Sequence, residues 1–140
     1  MRSTRSWRHA ARLRWRPSRG HRAARWRRVA VASAKQCGRA VVPPVHDPVD
    51  VGTILAGAPG PERMLLVEPG LGAAPLAIAD VPPPVAATFA VGPEGGWTAE
   101  ERTAALDAGW RPVRLGGRVL RAVTAPLAAL AAAQAVWRDA

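Results

Sequence analysis

The sequence predicts an α/β fold built on a mainly parallel sheet. Short apolar runs, typical of buried strands, alternate with segments of helical periodicity, and this alternation is typical of layered α/β domains. Two glycine-rich loops, at residues 91–98 and 116–121, each stand between a predicted strand and a predicted helix. Ligands bind at such junctions because helix N-termini present unpaired backbone N–H groups. We therefore expect the two loops to form two walls of one pocket.

The strands are predicted from apolar runs that are too short for helices. These runs lie at 64–68, 86–91 and 111–115. The first ends at Pro69 and Gly70, and the segment from 71 to 84 is expected to be a loop. Its last residues, Pro82, Pro83 and Pro84, cannot join the interior of a sheet because proline lacks the N–H donor.

The helices are predicted from residues that recur at steps of three and four and from the signals at their ends. Thr98 and Glu101 form a capping box that opens the third helix, and Gly38 and Gly109 follow the ends of the first and third. In the last helix Leu127, Leu130, Gln134 and Trp137 mark one face, and alanines fill the rest. The four predicted helices span 21–37, 49–56, 99–108 and 125–137.

The positive charge is confined to one segment of the 140 residues. Residues 1–28 carry eleven Arg and no acidic residue, whereas the other 112 carry nine basic and ten acidic residues. The leader at 1–20 mixes Arg with Trp7 and Trp15, which is compatible with RNA binding through phosphate contacts and base stacking. We favour the alternative, a poorly ordered leader or the remnant of a longer protein.

Several classes of function are disfavoured by what the sequence lacks. Cys37 is the only cysteine and the three histidines have no ligand spacing, so we predict neither a disulfide nor a metal site. Nothing approaches the roughly 20 consecutive apolar residues of a membrane span. We therefore expect no membrane association and a cytoplasmic location.

Both loops, in this order and at this spacing, resemble a known family. AVGPEGGWT at 90–98, with Glu101, precedes Leu115, Gly116, RVLR at 118–121 and TA at 124–125. This pattern is similar to the C-terminal half of the RsmE family, bacterial enzymes that methylate N3 of a uridine in small-subunit (16S) ribosomal RNA. RWRRVA at 25–30 and QCGR at 36–39 resemble an upstream helix of that family, so the similarity covers roughly residues 20–138.

The resemblance implies the SPOUT superfamily, whose α/β fold contains a deep C-terminal trefoil knot. It implies S-adenosylmethionine as cofactor, a homodimer as the working form and ribosomal RNA as partner. Residues 21–140 are then a partial SPOUT methyltransferase domain, incomplete at its N-terminus, because the family's β-barrel and first strands have no recognisable counterpart. The family also has a Thr-Glu pair where this chain has Ala122 and Val123.

The resemblance also implies roles for residues of both loops. Arg121 would stabilise negative charge on the uracil or bind phosphate, although an ion pair with Glu94 is an equal alternative. Arg118 and Arg39 are expected to face RNA, whereas Trp97 and Trp110 are expected to pack in the interior. The expected cofactor-binding residues are Gly92, Glu94, Gly95, Gly96, Leu115, Gly116, Val119 and Leu120.

Three functions remain open from the sequence. The first is a methyltransferase acting on N3 of a uridine in 16S ribosomal RNA. The second is an inactive truncated fragment that at most binds RNA or cofactor. The third is a methyltransferase that modifies a different RNA with help from a partner. Cofactor binding separates the first and third from the second.

Overall fold

A four-stranded parallel sheet organises the computed structural model, which describes residues 19–57, 60–70 and 76–137. The strand order is β2-β4-β1-β3, and every neighbouring pair is parallel. The mainly parallel α/β fold predicted from the sequence is confirmed. The strands are β1 (Glu62–Leu66), β2 (Leu76–Ala77), β3 (Ala87–Val91) and β4 (Arg111–Arg114).

The helices lie where the sequence predicts them, within two residues at each end. The expected leader, 1–20, falls almost wholly outside the described residues. No helix in the described part of the chain is long and apolar enough to cross a bilayer. The helices are α1 (Arg19–Gln36), α2 (Val51–Gly57), α3 (Ala99–Asp107) and α4 (Ala125–Trp137).

Helices cover both faces of the sheet, as alternation along β1 requires. Met64 and Leu66 point to the face that α4 covers, and Leu65 points to the face covered by α2 and α3. These three side chains are almost fully buried. Central parallel strands are apolar on both faces for this reason, and the apolar run from Met64 to Val67 is the part of the sequence that indicates β1.

Three tryptophans fix the layers to one another through indole N–H groups that donate to backbone carbonyls. Trp97 donates to Leu66 O at 2.9 Å, and Trp110 donates to Leu55 O at 2.8 Å. Trp137 donates to Val81 O at 2.8 Å and stacks on Phe89. The packing role predicted for Trp97 and Trp110 is confirmed: Trp110 is buried, and Trp97 is partly buried and packs against the cluster on the same face of the sheet.

Two parts of the sequence prediction need correction. The first strand runs from Glu62 to Leu66 and not from 64 to 68, because its backbone pairs with β3 from Glu62 opposite Ala87 to Leu66 opposite Val91. An ion pair from Arg111 to Glu62, at 3.0 Å, also links its start to β4. The segment from 71 to 84 is not wholly loop. It contains β2 and a single 3₁₀ turn, Ile78–Asp80, stabilised by a hydrogen bond from Ala77 N–H to the Asp80 carboxylate at 3.0 Å.

The expected face of α4 is also only partly correct. Its buried residues are Ala125, Ala129, Ala133 and Trp137, so the small side chains and not the leucines face the sheet. Leu127, by contrast, is 69% exposed. Alanines allow the helix backbone to approach the sheet closely, and the leucine side faces outward.

Candidate functional site

A cavity of about 250 Å³ lies at the carboxyl ends of β1, β3 and β4. Three segments line it: residues 66–69 after β1, the first glycine loop after β3, and the second glycine loop after β4. Carboxyl ends of parallel strands meet at one edge of a sheet, so the two loops are brought together although some twenty residues separate them. The expected single pocket between the two loops is therefore present.

The first loop is shaped by Trp97 and by a tight turn. A Cβ on Gly92 would lie 3.2 Å from the indole nitrogen of Trp97, so the indole occupies the space that a side chain would need. Gly96 N–H donates to Pro93 O at 2.9 Å and Gly96 has φ +72°, a conformation that L side chains rarely adopt. Arg102 secures the loop by donating to Trp97 O at 2.7 Å.

The capping box aims the start of α3 at this edge of the sheet. Glu101 N–H donates to the Thr98 hydroxyl at 3.1 Å, and Thr98 N–H donates to the Glu101 carboxylate at 3.1 Å. Hydrogen bonds from the backbone and from Thr98 hold the pKa of the Glu100 carboxyl below its ordinary value. An anionic first turn complements the positive end of the helix dipole.

The second loop combines an apolar wall with two exposed cations. Leu115 and Leu120 are half-buried and pack against the cluster beneath α4, while Arg118 and Arg121 are exposed at the mouth of the cavity. Thr124 N–H and Ala125 N–H both donate to Arg121 O, at 2.8 and 2.9 Å, so the start of α4 fixes the backbone of Arg121.

Most residues expected to bind the cofactor line this one cavity. Gly95 is the exception: it is exposed and is not part of the lining. Arg118 and Arg121 line it too, whereas Arg39 lies elsewhere, in a groove beside α1. Arg121 and Glu94, both within the described residues, form no ion pair with each other. The expected residues in the lining are Gly92, Glu94, Gly96, Leu115, Gly116, Val119 and Leu120.

Sequence reasoning missed Glu68 as a residue of the site. One of its carboxylate oxygens lies 3.2 Å from the point where a Cβ on Gly96 would stand, so the side chain reaches the first glycine loop. Its position two residues beyond β1 is the signal that was available, because polar residues following parallel strands collect at the ligand-binding edge. The cavity thus contains two carboxylates, Glu68 and Glu94, opposite two guanidinium groups.

The two departures from the RsmE pattern differ in their relation to the cavity. Ala122 lines it, so a Thr hydroxyl of the pattern is replaced by a methyl group at the wall. Val123 is 72% exposed and is outside the lining.

A second concave surface, the α1–α4 groove, has a volume of about 550 Å³. It is lined by Trp26 and Ala30 of α1, by the proline-rich segment 43–49, and by the leucine side of α4. Most of its lining is apolar. In the described part of the chain, no group of three or more His, Cys, Asp or Glu is placed to hold a metal ion in this groove or elsewhere.

A parallel sheet whose glycine loops enclose one cavity at the carboxyl edge defines an α/β domain of the cofactor-binding class. The family model for the RNA methyltransferase domain matches residues 8–134. The chain belongs to this family.

Two relatives of this chain are both named ribosomal RNA small subunit methyltransferase E. The protein of that name from a Synechocystis species is 42% identical over 113 residues, which are 76% of this chain and 36% of that protein. The protein from Mycobacterium tuberculosis is 36% identical over 118 residues, 77% of this chain and 42% of that protein. The chain thus spans less than half the length of these relatives.

Solved structures give the same result for the fold. The ribosomal RNA small subunit methyltransferase E of Neisseria gonorrhoeae, bound to S-adenosyl methionine, superposes with a TM-score of 0.80 at 36% identity, covering 92% of this chain and 55% of that one. A putative methyltransferase of Legionella pneumophila, in complex with the cofactor SAM, gives a TM-score of 0.75 at 30% identity, covering 81% and 46%.

Proposed function

We propose that this chain carries the cofactor site of an S-adenosylmethionine-dependent methyltransferase that modifies N3 of a uridine in 16S ribosomal RNA. The observation that carries the proposal is the convergence of both glycine loops on one cavity, in a chain related to enzymes of that name. We also propose a cytoplasmic location, because the proposed substrate is ribosomal RNA.

The residues of the cavity fit such a cofactor. Leu115, Val119 and Leu120 offer apolar surface to an adenine ring, and Glu68 and Glu94 can accept hydrogen bonds from hydroxyl or ammonium groups. A Cβ on Gly116 would meet no protein atom within 4 Å, so this glycine leaves open space for a ligand beside its backbone. Of the three backbone donors expected from the sequence, only Gly116 N–H is proposed to bind the cofactor, because Gly96 N–H already donates to Pro93 O and Gly95 lies outside the lining.

The chemistry requires a positioned methyl donor and a nucleophilic N3. S-adenosylmethionine, when bound, would supply a methyl group on a sulfonium: the N3–CH3 bond forms as the S–CH3 bond breaks, S-adenosylhomocysteine leaves, and the N3 proton passes to solvent. We propose that Arg121 stabilises the negative charge that the uracil develops; in support, its backbone oxygen accepts hydrogen bonds from the start of α4 and the residue lines the cavity. Arg118, at the same mouth, is proposed to contact RNA phosphate, and Arg39 to contact RNA at a second point.

We further propose that the chain works as a homodimer through the leucine side of α4. An exposed Leu127 beside a mostly apolar groove is costly in water, and a second copy of the same surface would cover it. The C-terminal knot implied by the resemblance stays a prediction, tested by whether α4 passes through a loop in an experimental structure.

Substitution of Gly116 tests the cofactor site. Gly116 has φ +106°, and its neighbour Gly117 has neither a positive φ nor a place in the lining. Gly116→Val should reduce cofactor affinity at least tenfold, because the branched side chain enters ligand space and strains the backbone by about 1–3 kcal/mol. Gly117→Val is the matched control and should keep the affinity of the unaltered protein.

Calorimetry with S-adenosylmethionine measures both variants, and methyl transfer from labelled cofactor to small ribosomal subunits tests activity. A folded protein without cofactor affinity would disprove the proposal. Binding without transfer would favour the alternative, a cofactor-binding fragment, for which Ala122 in place of a hydroxyl residue is the supporting observation.

A further inference from the structure

One side of α1 carries three cations that have no partner among the residues that the structure describes. Arg25, Arg28 and Lys35 are all exposed, and none forms an ion pair or side-chain hydrogen bond with another described residue. At 3.6 residues per turn they fall within an arc of about 80°. We call these three residues the basic face of α1.

The opposite side of the helix is packed, which fixes the direction of the basic face. Ala23 is 2% exposed and Ala34 is 3% exposed, and they lie about 160° and about 140° from the centre of the basic face. Arg27, on the packed side, donates to the Asp47 carboxylate at 2.7 Å and to Val45 O at 3.3 Å. These contacts hold α1 against the segment 43–49, so its cations point away from the α1–α4 groove.

No acidic residue close in the sequence balances the positive charge of the basic face. From residue 19 to residue 46 there is no Asp or Glu, and the nearest acidic residue, Asp47, is already paired with Arg27. Like charges on one face repel each other, and an external anion would relieve that repulsion. Arg25 and Lys35 are ten residues apart, about 15 Å along the helix axis, which matches several successive phosphates of a nucleic-acid strand.

We propose that the basic face of α1 is an RNA-docking surface, separate from the cofactor cavity, that binds the phosphate backbone of the substrate. The proposal rests on the proposed function for the presence of RNA. RNA is favoured over a lipid surface, because an amphipathic helix on a membrane must bury its apolar side in lipid. The apolar side of α1 faces the protein instead, with Ala23 and Ala34 buried and with Trp26 and Ala30 lining the α1–α4 groove. The contact is to phosphate, so it positions the RNA and does not read its sequence.

The test is a comparison of neighbouring arginines that differ only in their surroundings. Arg28→Gln removes a cation from the basic face, and Arg27→Gln, the matched control, removes the same charge from the packed side. Binding of a fluorescein-labelled RNA of about 30 nucleotides is followed by anisotropy over a range of KCl concentrations. The triple variant Arg25→Gln, Arg28→Gln, Lys35→Gln should bind at least about tenfold more weakly and lower the slope of log K against log salt by about two.

Arg28→Lys should bind RNA as tightly as the unaltered protein does, unlike Arg28→Gln, because a phosphate contact needs the positive charge and not the guanidinium shape. Equal RNA affinity in Arg27→Gln and Arg28→Gln, with both proteins folded by circular dichroism, would overturn the proposal. So would a triple variant that keeps RNA binding and loses binding only to vesicles containing phosphatidylserine.

The same variants separate this inference from the proposed function. Cofactor affinity, measured by calorimetry, should be unchanged in the triple variant because the cavity residues are intact. Loss of RNA binding with normal cofactor affinity supports the docking surface. A protein that binds RNA through α1 and never binds cofactor would disprove the methyltransferase function alone and leave the docking surface established.

Discussion

Glu68 is the cavity residue whose substitution we expect to affect cofactor binding most specifically. It is half-buried at the end of β1 and reaches the first glycine loop, where hydroxyl or ammonium groups of a cofactor would find an acceptor. We expect Glu68→Gln to weaken S-adenosylmethionine binding by about tenfold, the scale of one hydrogen bond to a charged group. Glu100→Gln, on the exposed first turn of α3, serves as control.

Titration calorimetry of the two variants decides this prediction. An equal loss of S-adenosylmethionine affinity in Glu68→Gln and Glu100→Gln would show that the overall negative charge near the site matters, and not a contact made by Glu68. Unchanged affinity in Glu68→Gln would remove this residue from the site.

Sequence reasoning succeeded at the residues whose type is dictated by backbone geometry. Gly96 and Gly116 have positive φ, a backbone conformation that favours glycine, so these positions can be recognised in the sequence by their residue type. Glu68 was missed because a carboxylate after a strand is also a common surface residue, and only the fold brings it beside Gly96. Gly95 shows the converse, since a glycine in a recognisable motif need not face the cavity.

Among the elements, α3 offers a direct measurement of what its cap contributes. Thr98 accepts a hydrogen bond from Glu101 N–H, whereas Thr103, inside the same helix, only donates its hydroxyl to Ala99 O. Thr98→Ala should lower the free energy of unfolding by about 1 kcal/mol, the usual cost of losing an N-cap. Thr103→Ala should be neutral or slightly stabilising, since alanine has the higher helix propensity.

Urea unfolding followed by circular dichroism compares the two variants under the same conditions. A larger loss in Thr103→Ala than in Thr98→Ala would contradict the assignment of the cap. Because the cap precedes the helix that follows the first glycine loop, we also expect Thr98→Ala to weaken cofactor binding slightly.

Elements were predictable where one periodicity dominates the sequence. The strand β2 was missed because two residues are too few to show a period, and its place depends on β4 beside it. The inner side of α4 was mistaken because hydrophobic periodicity favours large residues for the core. At this position the closeness of helix and sheet selects Ala125, Ala129 and Ala133 instead.

At the scale of the whole molecule, the leucine side of α4 predicts self-association. Leu127 lines the α1–α4 groove and is 69% exposed, and Val123 is equally exposed but is outside that groove. Leu127→Asp should convert a dimer into a monomer, because each copy would bury an unpaired carboxylate in an apolar interface. Val123→Asp is the matched control and should leave the assembly intact.

Light scattering coupled to size exclusion gives the mass of each variant. Monomers for the unaltered chain at high concentration, or dimers for Leu127→Asp, would contradict the proposed interface. Dissociation by Val123→Asp alone would move the interface to the second glycine loop.

The order of the strands also governs how quickly this chain reaches its native state. The central strand β1 needs β4 on one side, and the Arg111–Glu62 contact between them joins residues 49 positions apart. The entropy cost of closing such long loops must be met before the strands can pair and stabilise the sheet. We therefore expect folding in about milliseconds to seconds, slower than for a helical bundle of this length. During synthesis β1 has only β3 beside it until residues 111–114 have emerged. The nascent chain therefore exposes an unpaired strand edge on the ribosome, and the C-terminal segment completes its folding.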